Sequence, residues 1–255
     1  MNKLLSIVIL AFGPILSIAN PIDDTCSQHV VKVWGAPQIK VEGDNQYLCR
    51  TGYAVNYNNK TKVPYFVVEH LTKAHMVGDE GRKNDFREDP EIPVIHRATL
   101  HDYVASGYDR GHMAPAGDFT YDANVMSESF LLSNMMPQDP GNNRGIWKML
   151  EEDARAWTIK HDELYIVSGT IFTADAKHIG ANVLIPSEVY KIIIDVKRNK
   201  SIAFVFPNVK LEPKDMAKYI VSILDIEAIT KIAFFPHLPD KLKNIKIVKG
   251  DLSDW

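Results

Sequence analysis

Strand-like runs outnumber helical ones in this chain and do not alternate with them, so a regular βαβ fold is excluded. Apolar, β-branched stretches fall at 46–55, 63–71, 164–168, 182–185, 189–196, 202–206 and 229–235. A polar turn from Asn56 to Lys60 separates the first two and predicts a β-hairpin. Two segments read as helices. In one, Ile146, Leu150, Ala154 and Trp157 recur at i, i+4, i+8 and i+11, a stripe that predicts a helix to about Lys160, capped by Asn142 or Asn143. The other spans 213–224. Residues 72–93, punctuated by Gly78, Gly81, Pro90 and Pro93, read as a long surface loop, and Leu131-Leu132 as part of a short strand-like run before Pro137. The expected architecture is a single α+β domain over residues 20–255, mixed and built around a largely antiparallel β-sheet.

Residues 1–19 are set apart from that domain. Met1-Asn2-Lys3 is a short positive start, Leu4 to Ile18 is apolar, and Ser17-Ile18-Ala19 is a small-x-small sequence, the layout of a secretory signal peptide cut after Ala19. Gly13-Pro14 breaks the apolar stretch, which is short for a bilayer span, so no stable membrane association is expected after cleavage. A secreted or periplasmic location follows. In an oxidising compartment the chain's 2 cysteines, Cys26 and Cys49, are expected to form a disulfide. The formal net charge is −3, and −4 without Lys3, which excludes a generally basic nucleic-acid-binding surface. Any contact with a polyanion must be local and helped by bound cations.

One run concentrates the chemistry. In Tyr108-Asp109-Arg110-Gly111-His112-Met113-Ala114-Pro115, an acid, a guanidinium, a glycine and an imidazole are consecutive. Cleaving a phosphodiester calls for a base to activate water, positive charge for the phosphate, and a metal site nearby. Two later segments belong with it, Leu132-Ser133-Asn134-Met135-Met136-Pro137-Gln138 and Asn143-Arg144-Gly145-Ile146-Trp147-Lys148-Met149-Leu150-Glu151. Together with Asp85-Phe86-Arg87-Glu88-Asp89-Pro90 and Arg97-Ala98-Thr99, they resemble the DNA/RNA non-specific endonucleases of the ββα-metal class. The resemblance covers roughly residues 45 to 240.

That resemblance implies His112 as general base, and a neutral imidazole is suited to taking a proton from water near neutral pH. It implies Asn143 as direct ligand of Mg²⁺, a hard cation that keeps several waters and needs few protein ligands; Mn²⁺ or another divalent ion is an expected substitute. A helix N-cap is the structural alternative for Asn143. Glu151 lies eight residues on, roughly 12 Å along a straight helix, which suits holding a metal-bound water better than direct ligation. Arg110 and Arg82 are implied as phosphate partners, with Arg87 close enough in sequence to be confused with Arg82. Asn134 is implied as a supporting residue, with a structural turn amide as the alternative. Asp109 either orients a neighbour or caps a turn, and Gly111 permits an unusual backbone angle or a close phosphate approach.

The expectation is therefore a secreted, metal-dependent endonuclease cleaving DNA and RNA to 5′-phosphate ends, with a homodimer known for some members of the family it resembles. Two other readings stay open. One is a metal-free ribonuclease pairing His112 with His96 or His101, and the other is an extracellular nucleic-acid-binding protein without catalysis.

Overall fold

The computed structural model describes residues 26–29, 34–39, 44–244, 252 and 255. The expected signal peptide, residues 1–19, lies outside them. The first strands of the main sheet are β1 (Asn45–Cys49), β2 (Tyr53–Asn58) and β3 (Val63–Thr72). A two-stranded ribbon follows, β4 (Asp109–His112) paired antiparallel with β5 (Met135–Gln138). The later strands are β6 (Glu163–Ile171), β7 (Glu188–Asp195), β8 (Lys200–Pro207) and β9 (Ile220–Val221). Seven of these nine form one sheet in the order β9-β8-β7-β6-β3-β2-β1, antiparallel at every pairing. The mixed α+β class with a largely antiparallel sheet is thus observed.

The sheet is covered on both faces, which is why its strands read as nearly continuous apolar runs rather than strict alternations. Along β7, Val189 and Ile193 enter one core while Tyr190, Ile192 and Ile194 enter the other. Along β8, Ile202, Phe204 and Phe206 join the first core and Ala203 the second. The first core is closed by helix α2 (Lys148–His161) through Leu150, Ala154 and Trp157, with Ile146 just before it, the stripe expected from the sequence. Helix α1 (Ala123–Glu128) adds Val125 and Met126 to the same core. The second core takes Ile223 and Ile226 of helix α3 (Ile223–Thr230), with Phe234, Phe235 and Trp34.

Several boundaries differ from expectation for local reasons. The 46–55 run is two strands, because the chain reverses at 50–52, where Gly52 fits tightly against Phe119: a Cβ there would lie 2.5 Å from the ring. The following turn starts later than Asn56, since Asn58 Oδ1 accepts from the amides of Lys60 and Thr61 and closes the reversal there. The helix expected at 213–224 is a 3₁₀ segment, Pro213–Tyr219, followed by β9. The α-helix starts only at Ile223, where Ser222 and Asp225 form a reciprocal cap. Thr230 therefore ends a helix, and the strand expected at 229–235 shrinks to Ile232–Ala233, paired with Gln38–Ile39.

Cys26 and Cys49 are bonded, with Cα atoms 5.6 Å apart and a sequence separation of 23. Closing a loop of this size restricts the unfolded chain by about 3 kcal/mol. Replacing Cys26 with Ser should lower the free energy of chemical unfolding by about that amount, and an unchanged denaturant midpoint would contradict it.

Candidate active site

The ribbon β4–β5 stands on the first core and leads into α2, giving a strand–strand–helix arrangement. Its register sets Asp109 opposite Gln138, Arg110 opposite Pro137, Gly111 opposite Met136 and His112 opposite Met135. Gly111 is needed for packing, correcting the reading of a special backbone angle or phosphate approach: its φ is not positive, and a Cβ would sit 2.1 Å from Gln138 Oε1. Fully buried Asn134 accepts from the Ala114 amide at 3.0 Å and donates to the carbonyls of Ala114 and Ser129 at 2.8 and 2.9 Å. It supports the strand beyond His112 from within the core.

Between β5 and α2 the chain is not one straight helix from Asn143. Asp139, rather than Asn142 or Asn143, caps a short helical turn at Pro140–Asn142, accepting from the Gly141 and Asn142 amides. A widened π-type turn, Asn143–Trp147, follows, with Gly145 at φ −108°, ψ −110°, outside helical values. The two asparagines are committed elsewhere. Asn142 Nδ2 donates to the carbonyl of Pro207, and Asn143 Nδ2 to Asp109 Oδ2 at 2.9 Å. Trp147 closes the arrangement, its indole N–H donating to the His112 carbonyl at 3.2 Å.

A cleft of about 470 Å³ opens where these elements meet, and Arg82, Arg110, His112, Asn143 and Glu151 all line it. The five residues are spread over 69 positions of sequence, so their convergence is a tertiary property. Arg144, Lys148 and Arg155 also line it, so the cleft is locally cationic in a chain of net charge −3. The local polyanion contact that the composition demanded has a place to occur.

His112 is held in an aromatic nest. Its ring meets Phe130 edge-on at 5.1 Å and Phe86 at 5.5 Å. The same two rings carry the arginines, Arg110 over Phe86 at 4.1 Å and Arg82 over Phe130 at 5.0 Å. Burial, with Arg82 and Arg110 nearby, pushes the imidazole down to about 3, so it stays neutral across ordinary pH. Its Nε2 is enclosed and has no hydrogen-bond partner among the described residues.

Asp109 accepts two bonds from Arg144, at 2.8 and 2.6 Å, and the one from Asn143. Burial raises its carboxyl, but these donors outweigh that and hold it below its ordinary value. Of the two readings left open for Asp109, orienting a neighbour is the one observed. Because the carboxylate takes the Asn143 NH₂, the amide oxygen is the end left for the cleft. One amide oxygen with a carboxylate lining the same cleft fits a hard divalent cation such as Mg²⁺. The carboxylate is Glu151, which burial raises to about 7; Lys191, Arg155 and Arg82 pull it down and Asp118 pushes it up.

Arg87 is not in the cleft: it pairs with Asp85 and donates to the Ser127 carbonyl, so of the two candidates only Arg82 reaches the site. His96 and His101 do not line the cleft, and His101 borders a separate pocket with His178. Reasoning from sequence missed Phe86 and Phe130 as carriers of the arginines, and missed Arg144, Lys148 and Arg155. Phe86, Arg144 and Lys148 lie inside the segments singled out in the sequence, and Arg155 lies four residues after Glu151 on one helix face.

A family model described as DNA/RNA non-specific endonuclease matches residues 33–241. Human mitochondrial nuclease EXOG is 35% identical over 244 residues, 88% of this chain; the chain spans 65% of that protein's length. Nuclease C1 of Cunninghamella echinulata var. echinulata is 35% identical over 210 residues, covering 75% of this chain and 83% of its own. Human mitochondrial endonuclease G is 32% identical over 219 residues, 80% of this chain and 74% of that protein. In a crystal structure of the EndoG/EndoGI complex, one chain superimposes with a TM-score of 0.72 at 29% identity, covering 79% of this chain and 90% of that one. The expected secreted or periplasmic location is corrected by these relatives, since EXOG and endonuclease G are named as mitochondrial nucleases.

Two outcomes follow from this geometry. Asp109→Ala releases the Asn143 amide, so Mg²⁺ or Mn²⁺ affinity by titration calorimetry should weaken about 10–100-fold; unchanged affinity would refute the orienting contact. In metal-free protein, the folded state keeps the Glu151 proton up to about 7 whereas the unfolded chain sheds it above 4.5. The carboxyl therefore destabilises the fold as pH rises through that window. Glu151→Gln should raise the melting temperature at pH 8 and leave it unchanged at pH 4 (pH values about one unit or less outside the window), and no gain at the higher pH would contradict the buried carboxyl.

Proposed function

This chain belongs to the DNA/RNA non-specific endonuclease family, and on that premise we propose that the cleft hydrolyses phosphodiester bonds in DNA and RNA with a divalent cation, Mg²⁺ first. One observation carries the reading: the imidazole, the amide oxygen, the carboxyl and two guanidinium groups line a single cleft.

His112 takes the proton from the attacking water, its imidazole lining the cleft and standing in the neutral form that a base requires. Asn143 would hold the cation, its amide oxygen left toward the cleft because Asp109 retains the NH₂ end. When bound, the cation supplies Lewis-acid stabilisation of charge on the phosphate. Glu151, lining the same cleft, would orient water on the bound cation. Arg82 and Arg110, steadied on Phe130 and Phe86, offset the extra negative charge of the transition state. Attack on phosphorus with departure of the 3′ oxygen leaves a 5′-phosphate and a 3′-hydroxyl. Arg144 and Lys148 at the same cleft extend the positive surface toward neighbouring phosphates, and contacts to phosphates carry no base information, which suits cleavage without sequence preference. The mitochondrial names of EXOG and endonuclease G support an organellar setting.

His112→Ala and Asn143→Ala should each lower plasmid and RNA cleavage by two or more orders of magnitude in folded protein. EDTA should abolish wild-type cleavage, with recovery on adding Mg²⁺. Full activity in EDTA would instead favour a metal-free route, and near wild-type cleavage by folded His112→Ala would reject the assigned base.

A further inference from the structure

Lys191 lies in the middle of β7, only 1% exposed, with Tyr190, Ile192, Ile193 and Ile194 around it in sequence, all fully buried. By strand alternation it faces the same core as Val189 and Ile193, the core that α2 covers. An ammonium at such a position costs several kcal/mol unless it is compensated, and an apolar side chain of similar volume is often as stable or more so. Two contacts compensate it. Nζ donates to Ser168 Oγ on the paired position of β6 at 2.6 Å, and it stands 4.7 Å from the ring centre of Trp147. The nearest carboxyls act through space rather than by contact: Lys191 stabilises the charged forms of Glu69, Asp118 and Glu151.

Trp147 is the informative partner. It is fully buried, four residues after Asn143 and four before Glu151, and its indole N–H is bonded to the carbonyl of His112. One ring is therefore gripped on its face by Lys191 and on its edge by the strand that carries the imidazole. A shift of that ring displaces the base, the amide and the carboxyl relative to one another.

We infer that Lys191 is a positioning residue for the nuclease site, clamping Trp147 so that the His112 strand and the Asn143–Glu151 segment keep one spacing. The inference rests on the reading of the cleft given above. The clamp acts on alignment of the reacting groups and leaves the substrate-binding surface untouched. Removing it should therefore lower kcat and spare KM.

The test uses Lys191→Met, which replaces the charge by a side chain of similar volume, and Lys191→Gln, which keeps a donor for Ser168. Both should melt at or above the wild-type temperature or within a few degrees of it. Cleavage of duplex DNA at saturating Mg²⁺ should show kcat reduced at least about tenfold with KM within about threefold. In ¹⁵N-labelled protein, the Trp147 indole N–H resonance, identified by its loss in Trp147→Phe, should move in both Lys191 variants. A Lys191→Gln/Trp147→Phe double variant should lose no more activity than the worse single one, because both act through one contact. Wild-type kcat in a folded variant, an unmoved indole resonance, or losses that multiply in the double variant would each overturn the clamp. Cleavage that survives His112→Ala overturns the assignment of the cleft instead, and the indole resonance still decides on the clamp.

Discussion

The hydrogen bond from the Trp147 indole to the His112 carbonyl is the contact on which the site depends. It ties the ribbon carrying the imidazole to the segment carrying the amide and the carboxyl, and it does so inside the core, where water does not compete. Trp147 is wedged among Ile146, Leu150, Phe206 and the sheet, so its position is set by close packing rather than by one weak bond. A rigid sheet buried on both faces is what makes that packing possible. The loop that brings Arg82 and the ribbon that brings Arg110 then need only lean on Phe130 and Phe86 to reach the cleft.

Electrostatics and burial work against each other here in a useful way. Burial disfavours every charge, keeping His112 neutral and lifting Glu151 to about 7. The cleft rim restores charge of one sign, with arginines and Lys148 gathered where an anion would enter. The chain as a whole stays acidic, so attraction is confined to the cleft and association with polyanions elsewhere on the surface is not favoured. Asp109 shows how an acid fits into a cationic site. It pairs with Arg144 through both oxygens and, through Oδ2, also accepts from the amide that it turns.

Much of this was legible from residues. Apolar, β-branched runs marked most strands of the antiparallel sheet, the Ile146–Trp157 stripe marked α2, and Arg110, His112, Asn143 and Glu151, singled out in the sequence, line one cleft. What misled was local. Asn142 and Asn143 look like helix caps, but Asp139 takes that task because both amides have distant partners, Pro207 and Asp109. Gly111 looks like a phosphate-approach glycine, yet Gln138 fills the space above it. The location inferred from the leader was corrected by relatives named as mitochondrial, because an apolar N-terminal stretch by itself does not separate one targeting address from another.

By itself, the amino-acid sequence determined which functional groups are present, the period of each secondary-structure element and therefore the α+β class, since these follow from side-chain chemistry and local backbone geometry. Only the tertiary structure decided that Arg82 and not Arg87 faces the cleft, which end of the Asn143 amide is free, and that Lys191 lies beneath Trp147. Those outcomes depend on contacts a few ångströms long between residues tens of positions apart, and such distances are fixed by how the sheet and α2 pack, which no window of sequence contains.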